Sequence, residues 1–391
     1  MSSWVARAAL AVAAIAVALL VVEAALALRP TRHCGGTPPF WRPDGDVGWA
    51  LVPGVRREAA VCRGTETVAR HVVEVNALGQ RDRPRAYART PGRRRVLVLG
   101  DSFVEAMQVD LEETFAARLE ARLGVEMLNA GVSGYSTDNE LRAFVTRGAR
   151  YAPDAVLLLV HVGNDVEENG PRLYLANPHG LPPKPWLATP HPSRGLALCL
   201  AAHRAAGRLT VATPGFLWSR SRVVRAALTT GTGGILAFAC AGAIGPPLVP
   251  GVPELLGVYG APETPAWQEA WETTEATLRD LVARVRATGA RIGVVLGPAG
   301  IELDPRIRGF QFAFFPAVQT RRWDYDYPYR RFGDLLASEG VPWLSLLPAL
   351  RQHAARTGRS GYYEWDAHWD AEGHAVVADA LAPFVATLLG P

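Results

Sequence analysis

Lysine is almost absent from this chain: of 41 basic residues, only Lys184 is not Arg. No basic tail or stripe is present, only short runs such as Arg93-Arg94-Arg95, and the net charge of +4 is small for 391 residues. That excludes a dedicated nucleic-acid binder, and the Arg bias reads as codon composition. Cysteine is scarce at four residues with no Cys-x-x-Cys, which excludes a disulfide scaffold, a zinc ribbon and a thioredoxin-like motif. The elbow Gly-x-Ser-x-Gly is missing, so the chain is not a typical α/β-hydrolase. Only one uninterrupted apolar stretch approaches membrane-spanning length, which excludes a polytopic transporter. What remains is 49% apolar, too apolar for disorder and long enough for one large domain or two small ones.

The apolar stretch runs from Ala8 to Leu28, with Glu23 its one acid and Arg7 and Arg29 on either side. At ~1.5 Å rise per residue it can cross a hydrocarbon core of about 30 Å. A signal peptide would be cut after Ala25-Leu26-Ala27, whereas a signal-anchor would keep the helix, with Glu23 near its outer end. The length of the run favours an anchor over residues 1–30, with the rest of the chain extracytoplasmic. The flanking arginines leave orientation open. Cys34 and Cys62 could bridge in an oxidising compartment. Cys199 and Cys240, in apolar surroundings, read as buried, inert thiols.

From Arg95 onward the pattern is strand, turn, helix, repeated. Strands are expected at Val96–Leu99, Val125–Asn129, Ala155–Val162, Arg291–Leu296 and Val341–Leu346. Phe115, Leu119 and Leu123 stripe a helix ending at Gly124. Thr137-Asp-Asn-Glu140 has the spacing of a capping box, before a stripe of Leu141, Phe144 and Val145. Further helices are expected at 265–288, 329–338 and 371–389, with Trp267 and Trp271 in the core. Such alternation implies a parallel sheet covered on both faces, with chemistry beyond the carboxyl ends of its strands. Residues 31–93 form an extension with a possible hairpin at 69–76. Residues 166–262 form an insertion too long for a plain loop, whose apolar run Gly234–Val249 reads as a lid or membrane-facing patch.

Four short blocks stand at strand ends. Gly100-Asp101-Ser102 places a hydroxyl at a strand-to-helix turn, where helix N–H groups favour a developing anion. Gly131 and Gly134, in Asn129-Ala-Gly-Val-Ser-Gly134, offer backbone N–H groups at close approach. Gly163-Asn164-Asp165 supplies a side-chain amide. Asp366-Ala-His368 could hold an imidazole by Nδ1 and leave Nε2 free for the Ser102 proton. Each block also reads as ordinary turn or cap chemistry. The acids and histidines from Asp366 to His374 could be read as a metal cluster, but capping and packing account for Asp370, Glu372 and His374.

In this order, the blocks resemble the SGNH, or GDSL, hydrolase family, in particular its membrane-anchored bacterial members. The resemblance spans Arg95 to the carboxyl end apart from the insertion. It implies a flavodoxin-like three-layer α/β sandwich with a five-stranded parallel sheet in residues 94–391, preceded here by one transmembrane helix. Ser102 would be the nucleophile, His368 the general base and then acid, and Asp366 its orienting partner. The backbone N–H groups of Ser102 and Gly134 and the Asn164 side chain would form the oxyanion hole. The spacing Asp-x-His departs from the family's frequent Asp-x-x-His and leaves Asp370 as a substitute, as Gly131 is for Gly134. No metal or cofactor is implied.

The expected function is a serine esterase removing an O-acyl group from a small molecule or a cell-surface carbohydrate. The aromatic-rich segments Trp323–Phe332 and Tyr362–Trp365 could stack on sugar rings or simply belong to the core. The alternatives are an O-acyltransferase acting on a glycan and a non-catalytic glycan-binding accessory.

Overall fold

The computed structural model describes residues 3–28, 40–63, 66–176, 183–189, 192–245 and 252–390. Its first element is the helix Ser3–Leu28. Two antiparallel ribbons follow, β1 (Trp41–Asp44) with β2 (Gly48–Leu51) and β3 (Arg56–Arg63) with β4 (Glu66–Glu74). The expected hairpin at 69–76 is thus wider and begins earlier, because β-rich sequence on both sides of residues 64–65 pairs. The ribbons share a small core, including Phe40, Trp49 and Val73, with Val132 and Tyr135 of the main domain.

The main sheet comprises β5 (Arg95–Leu99), β6 (Glu126–Asn129), β7 (Ala155–His161), β8 (Arg291–Gly297) and β9 (Trp343–Ser345). All five strands are parallel, in the order β6-β5-β7-β8-β9. This is the flavodoxin-like arrangement. Every residue of β5 and β7 is buried, as the apolar runs Val96–Leu99 and Ala155–Val160 require of strands covered on both faces. Helices Phe115–Leu123, Leu347–Thr357 and Ala371–Leu389 pack in one group, and Thr137–Thr146 and Pro265–Ala287 in another. Trp267 and Trp271 are buried in the main core. By length and composition Ala371–Leu389 meets the requirement of a membrane span, but half of it is buried inside the domain, as befits a core helix.

Two local expectations change. The helix Thr137–Thr146 is capped by Ser136, whose N–H donates to Asn139 Oδ1 at 3.3 Å. The capping box therefore lies one residue earlier than Thr137–Glu140, and this turns Glu140 into the core and Val145 outward. Cys199 and Cys240 are not thiols but a disulfide with a Cα–Cα distance of 5.8 Å. They lie on the helices Arg194–Ala212 and Thr232–Ile244, which pack side by side and bring the two sulfurs into register. Cys62 is disulfide-bonded as well, but Cys34 lies outside the described residues.

The described part of the insertion is helical and has its own small core, built from Tyr174, Leu175, Leu187, Leu196, Leu200, Cys240 and Ile244. Of the apolar run Gly234–Val249, the part to Ile244 is helix and residues 246–249 lie outside the described residues.

Candidate active site

Strand ends of the main sheet and the loop before Ala371–Leu389 meet around a cavity of about 350 Å³. Ser102, Gly134, Gly163, Asn164, Asp366 and His368 all line it. Ser102 opens the short helix Ser102–Glu105, and Asp101 caps that helix by accepting from the Phe103 N–H at 2.9 Å. The cap fixes where the hydroxyl points.

His368 Nε2 lies 2.8 Å from Ser102 Oγ. Its Nδ1 lies 2.5 Å from Asp366 Oδ1 and 3.1 Å from the Asp366 carbonyl. This tight Asp-x-His turn is possible because Ala367 takes a left-handed conformation, φ +64°, which costs a non-glycine residue about 1–2 kcal/mol. The surrounding loop enforces it: Ala367 N donates to Tyr363 O at 2.8 Å and Tyr363 N to His368 O at 2.9 Å. Burial pushes the His368 imidazole down, but the Asp366 hydrogen bond and charge, with Asp101's charge, outweigh it and hold the imidazole above its ordinary value. Asp370 is engaged elsewhere, accepting from Gly373 N at 2.8 Å as the cap of the last helix.

Gly134 has φ +76°, a conformation glycine adopts without strain. Gly131 faces away from the cavity: a Cβ there would fall 2.5 Å from Glu105 N, and its own N–H donates to Asn129 Oδ1 at 3.0 Å. As the first residue of its helix, Ser102 has no intrahelical acceptor for its N–H. Asn164 Nδ2 stands 3.5 Å from Asp101 Oδ2, and Asn164 Oδ1 lies 2.5 Å from His161 Nδ1. With the amide oxygen as acceptor, that imidazole nitrogen carries the proton and turns the Asn164 NH2 away from itself. His161 stacks on Phe103 at 4.2 Å, and Phe103 lies 4.9 Å from the His368 ring.

Sequence reasoning missed His161, although a histidine ending an otherwise apolar strand just before Gly163-Asn164 was a usable signal. It also missed Arg81. This buried guanidinium donates to the carbonyls of Glu105, Ala106 and Val109, and so ties the extension to the helix of Ser102. Glu105, buried and accepting from Ser133 N and Oγ, is pushed up to about 7, chiefly by burial. Behind Asn164, burial raises Glu140, Asp165 and Glu168 well above the usual carboxylate range, and neighbouring acids add to the effect. Lys184 reaches this region from the insertion, donating to Ser136 Oγ at 2.8 Å, Asp138 Oδ1 at 2.7 Å and Glu168 O at 3.1 Å. The chain's one lysine is a buried tie, not a relic of composition.

The other acids and histidines weighed as metal ligands diverge. His374 Nδ1 accepts from Phe115 N at 3.3 Å, and Glu372 pairs with Arg359 and His353. Of the aromatic-rich segments, Tyr329 and Phe332 are core, while Tyr363 and Trp365 are half-buried on the His368 loop.

An imidazole bonded to a hydroxyl on one side and a carboxylate on the other can take up the hydroxyl proton as the oxygen attacks an electrophile. Residues 265–390, about a third of the chain, match the family described as SGNH hydrolase-like domain, acetyltransferase AlgX. The match covers the Asp366–His368 loop and the last two strands of the sheet, and the sheet order is the one expected of an SGNH hydrolase-like domain. No curated protein sequence matches the chain. Solved structures similar to it include TesA (15% identity over 75% of this chain and 98% of that one, TM-score 0.37). A catalytic mutant of Axe2, an acetylxylan esterase from Geobacillus stearothermophilus, is 14% identical over 77% and 95%, with TM-score 0.37. The psychrotrophic esterase EstA from Pseudoalteromonas sp. is 12% identical over 74% and 95%, with TM-score 0.35. The matched domain, with the Ser102–His368–Asp366 geometry, supports an enzyme of the SGNH kind.

Proposed function

We propose that the protein is a serine esterase that removes an O-acyl group from a cell-surface carbohydrate through an acyl-enzyme on Ser102. The observation that carries this reading is the 2.8 Å contact between Ser102 Oγ and His368 Nε2, with Asp366 behind the imidazole. Ser102 Oγ attacks the acyl carbon while its proton passes to Nε2. The Ser102 and Gly134 N–H groups and Asn164 Nδ2 then hold the oxyanion. Collapse breaks the ester C–O bond, and His368 returns the proton to the departing sugar oxygen. Water, deprotonated by His368, then attacks the acyl carbon; the bond from that carbon to Ser102 Oγ breaks, His368 returns the proton to Oγ, and the acid leaves.

Acyl transfer to a glycan hydroxyl is the second reading. The name of the matching family, an acetyltransferase, favours it. A membrane anchor and an extracytoplasmic domain complete the proposal. They are supported by the 26-residue apolar helix Ser3–Leu28 and by the Cys199–Cys240 disulfide, which suits an oxidising compartment.

A serine-reactive fluorophosphonate should modify Ser102 in the wild type and leave Ser102→Ala unmodified by mass spectrometry. An activated ester given with and without a sugar acceptor then separates hydrolysis from transfer. A folded wild type that takes no label would leave a glycan-binding accessory and end the enzyme reading. For topology, alkaline phosphatase fused after residue 391 should be active, and an inactive fusion would place the domain in the cytoplasm.

A further inference from the structure

Residues 169–253, most of the insertion, contain eight basic residues and not one Asp or Glu, in a chain whose net charge is only +4. The folded insertion does not bury its apolar side chains evenly. The disulfide and the small core around Leu196 and Leu200 fix one face of the helices Arg194–Ala212 and Thr232–Ile244 inward. The other faces leave Leu198 73%, Leu209 61%, Ile235 71% and Phe238 89% exposed. Between these residues lie only small exposed ones, Ala201, Ala205 and Ala239 among them, while Arg194 and Arg208 stand exposed on the same stripe as Leu198. Isolated exposed apolar residues are ordinary, but two adjoining helices that present them together make a surface requiring a partner.

The first helix indicates which partner. Glu23 accepts from Ser221 Oγ at 2.7 Å, Arg222 N at 2.8 Å and Val223 N at 3.1 Å, and so caps the helix Arg222–Ala226. That helix runs through Ala227–Gly231 into Thr232–Ile244. At ~1.5 Å per residue, Glu23 lies about 8 Å from the end of its own helix and Ile235 about 18 Å along the second one. Both distances are within the thickness of a bilayer with its headgroups, about 40–45 Å.

We propose that the helix pair Arg194–Ala212 and Thr232–Ile244 rests on the anionic surface of the bilayer that Ser3–Leu28 crosses. Ile235, Phe238, Leu198 and Leu209 enter the acyl boundary, and Arg194 and Arg208 meet lipid phosphates. The proposal rests on reading Ser3–Leu28 as a membrane anchor. It gives the acid-free composition a cause, since a carboxylate here would be repelled by the headgroups. A second copy would bring an equally basic surface against this one. An acidic polysaccharide would match the charge but leave Phe238 in water. Because the insertion begins at Val166, within the helix Asp165–Asn169 that follows Asn164 directly, the contact would hold the cavity at a fixed height above the lipid.

The test uses the full chain in nanodiscs of mixed phosphatidylglycerol and phosphatidylcholine, with p-benzoylphenylalanine replacing Phe238, Val17 or Phe314 in separate variants. Phe314 is 90% exposed and lies outside the insertion, so it serves as the comparison. Fluorophosphonate labelling of Ser102 in each variant reports that the domain is folded. Phospholipid adducts are expected at positions 238 and 17 and not at 314, with those at 238 lost when Arg194→Gln and Arg208→Gln are combined in a phosphatidylglycerol disc. Adducts at 17 but not 238 would overturn the lipid contact and leave the anchor standing. Adducts at 238 alone would keep the contact and overturn the anchor, and adducts at neither would overturn both. Capture at 238 of a second copy, or of an added acidic polysaccharide in preference to lipid, would also overturn the proposal.

Discussion

His368 can accept the Ser102 proton only as neutral imidazole, so kcat/KM should rise as pH climbs through its pKa. Because Asp366 and Asp101 outweigh burial and raise that pKa, the limb should lie above the ordinary imidazole value near 6.5. Asp366→Asn removes the charge and leaves the burial, and a pH–rate profile should show the limb displaced to lower pH with reduced turnover. An unmoved limb would mean that Asp366 does not set the basicity of the imidazole. The same shift has a stability consequence. The folded state prefers the protonated ring, so this contribution is fully present below the unfolded pKa and is lost as pH rises through the folded one. In the proposed mechanism Asn164 acts differently, through its Nδ2 donor, whose amide His161 orients. Asn164→Ala should lower kcat by about 10²–10³ while the urea midpoint changes little; unaltered turnover would remove Asn164 from the site. The residue types of the site were legible in the sequence because they stand at strand ends or just before the last helix. The preference for Gly134 and Asp366 over their substitutes Gly131 and Asp370 came from the family resemblance. In the structure the Gly131 N–H and the Asp370 carboxylate are engaged elsewhere.

Elements were read well where burial dictates the pattern. Largely apolar strands such as β7 and the helix Ala371–Leu389 follow from composition and caps alone. The reading failed where long-range contact overrides local preference. Ser136 took the capping role from Thr137 because Lys184, from the distant insertion, donates to Ser136 Oγ and Asp138 beside it. Arg81 is a second such contact. Its loss would leave the carbonyls of Glu105, Ala106 and Val109 without their buried donor and Glu105 without its nearby cation. Arg81→Met should therefore destabilise the fold by about 3–5 kcal/mol in urea denaturation, and it should slow fluorophosphonate labelling because the helix of Ser102 loses its support. Labelling at the wild-type rate would confine Arg81 to a structural role.

At the scale of the molecule, the insertion is a helical layer with its own core, cross-linked over a sequence separation of 41 residues. Replacing both Cys199 and Cys240 by Ser should cost that layer about 2–4 kcal/mol. Amide hydrogen exchange should show faster opening in Arg194–Ala212 and unchanged protection in β7; equal loss in both would mean that insertion and sheet unfold as one unit. By itself, the sequence determined the alternation of strands and helices, the parallel sheet and the residues around its rim, since periodicity and turn chemistry are local properties of the chain. Only the tertiary structure decided that Cys199 meets Cys240, that the one lysine is buried against Asp138, that His161 stacks on Phe103 in the cavity wall, and that Arg81 stands behind the site. These are encounters between residues far apart in the chain, and packing, not local preference, selects them.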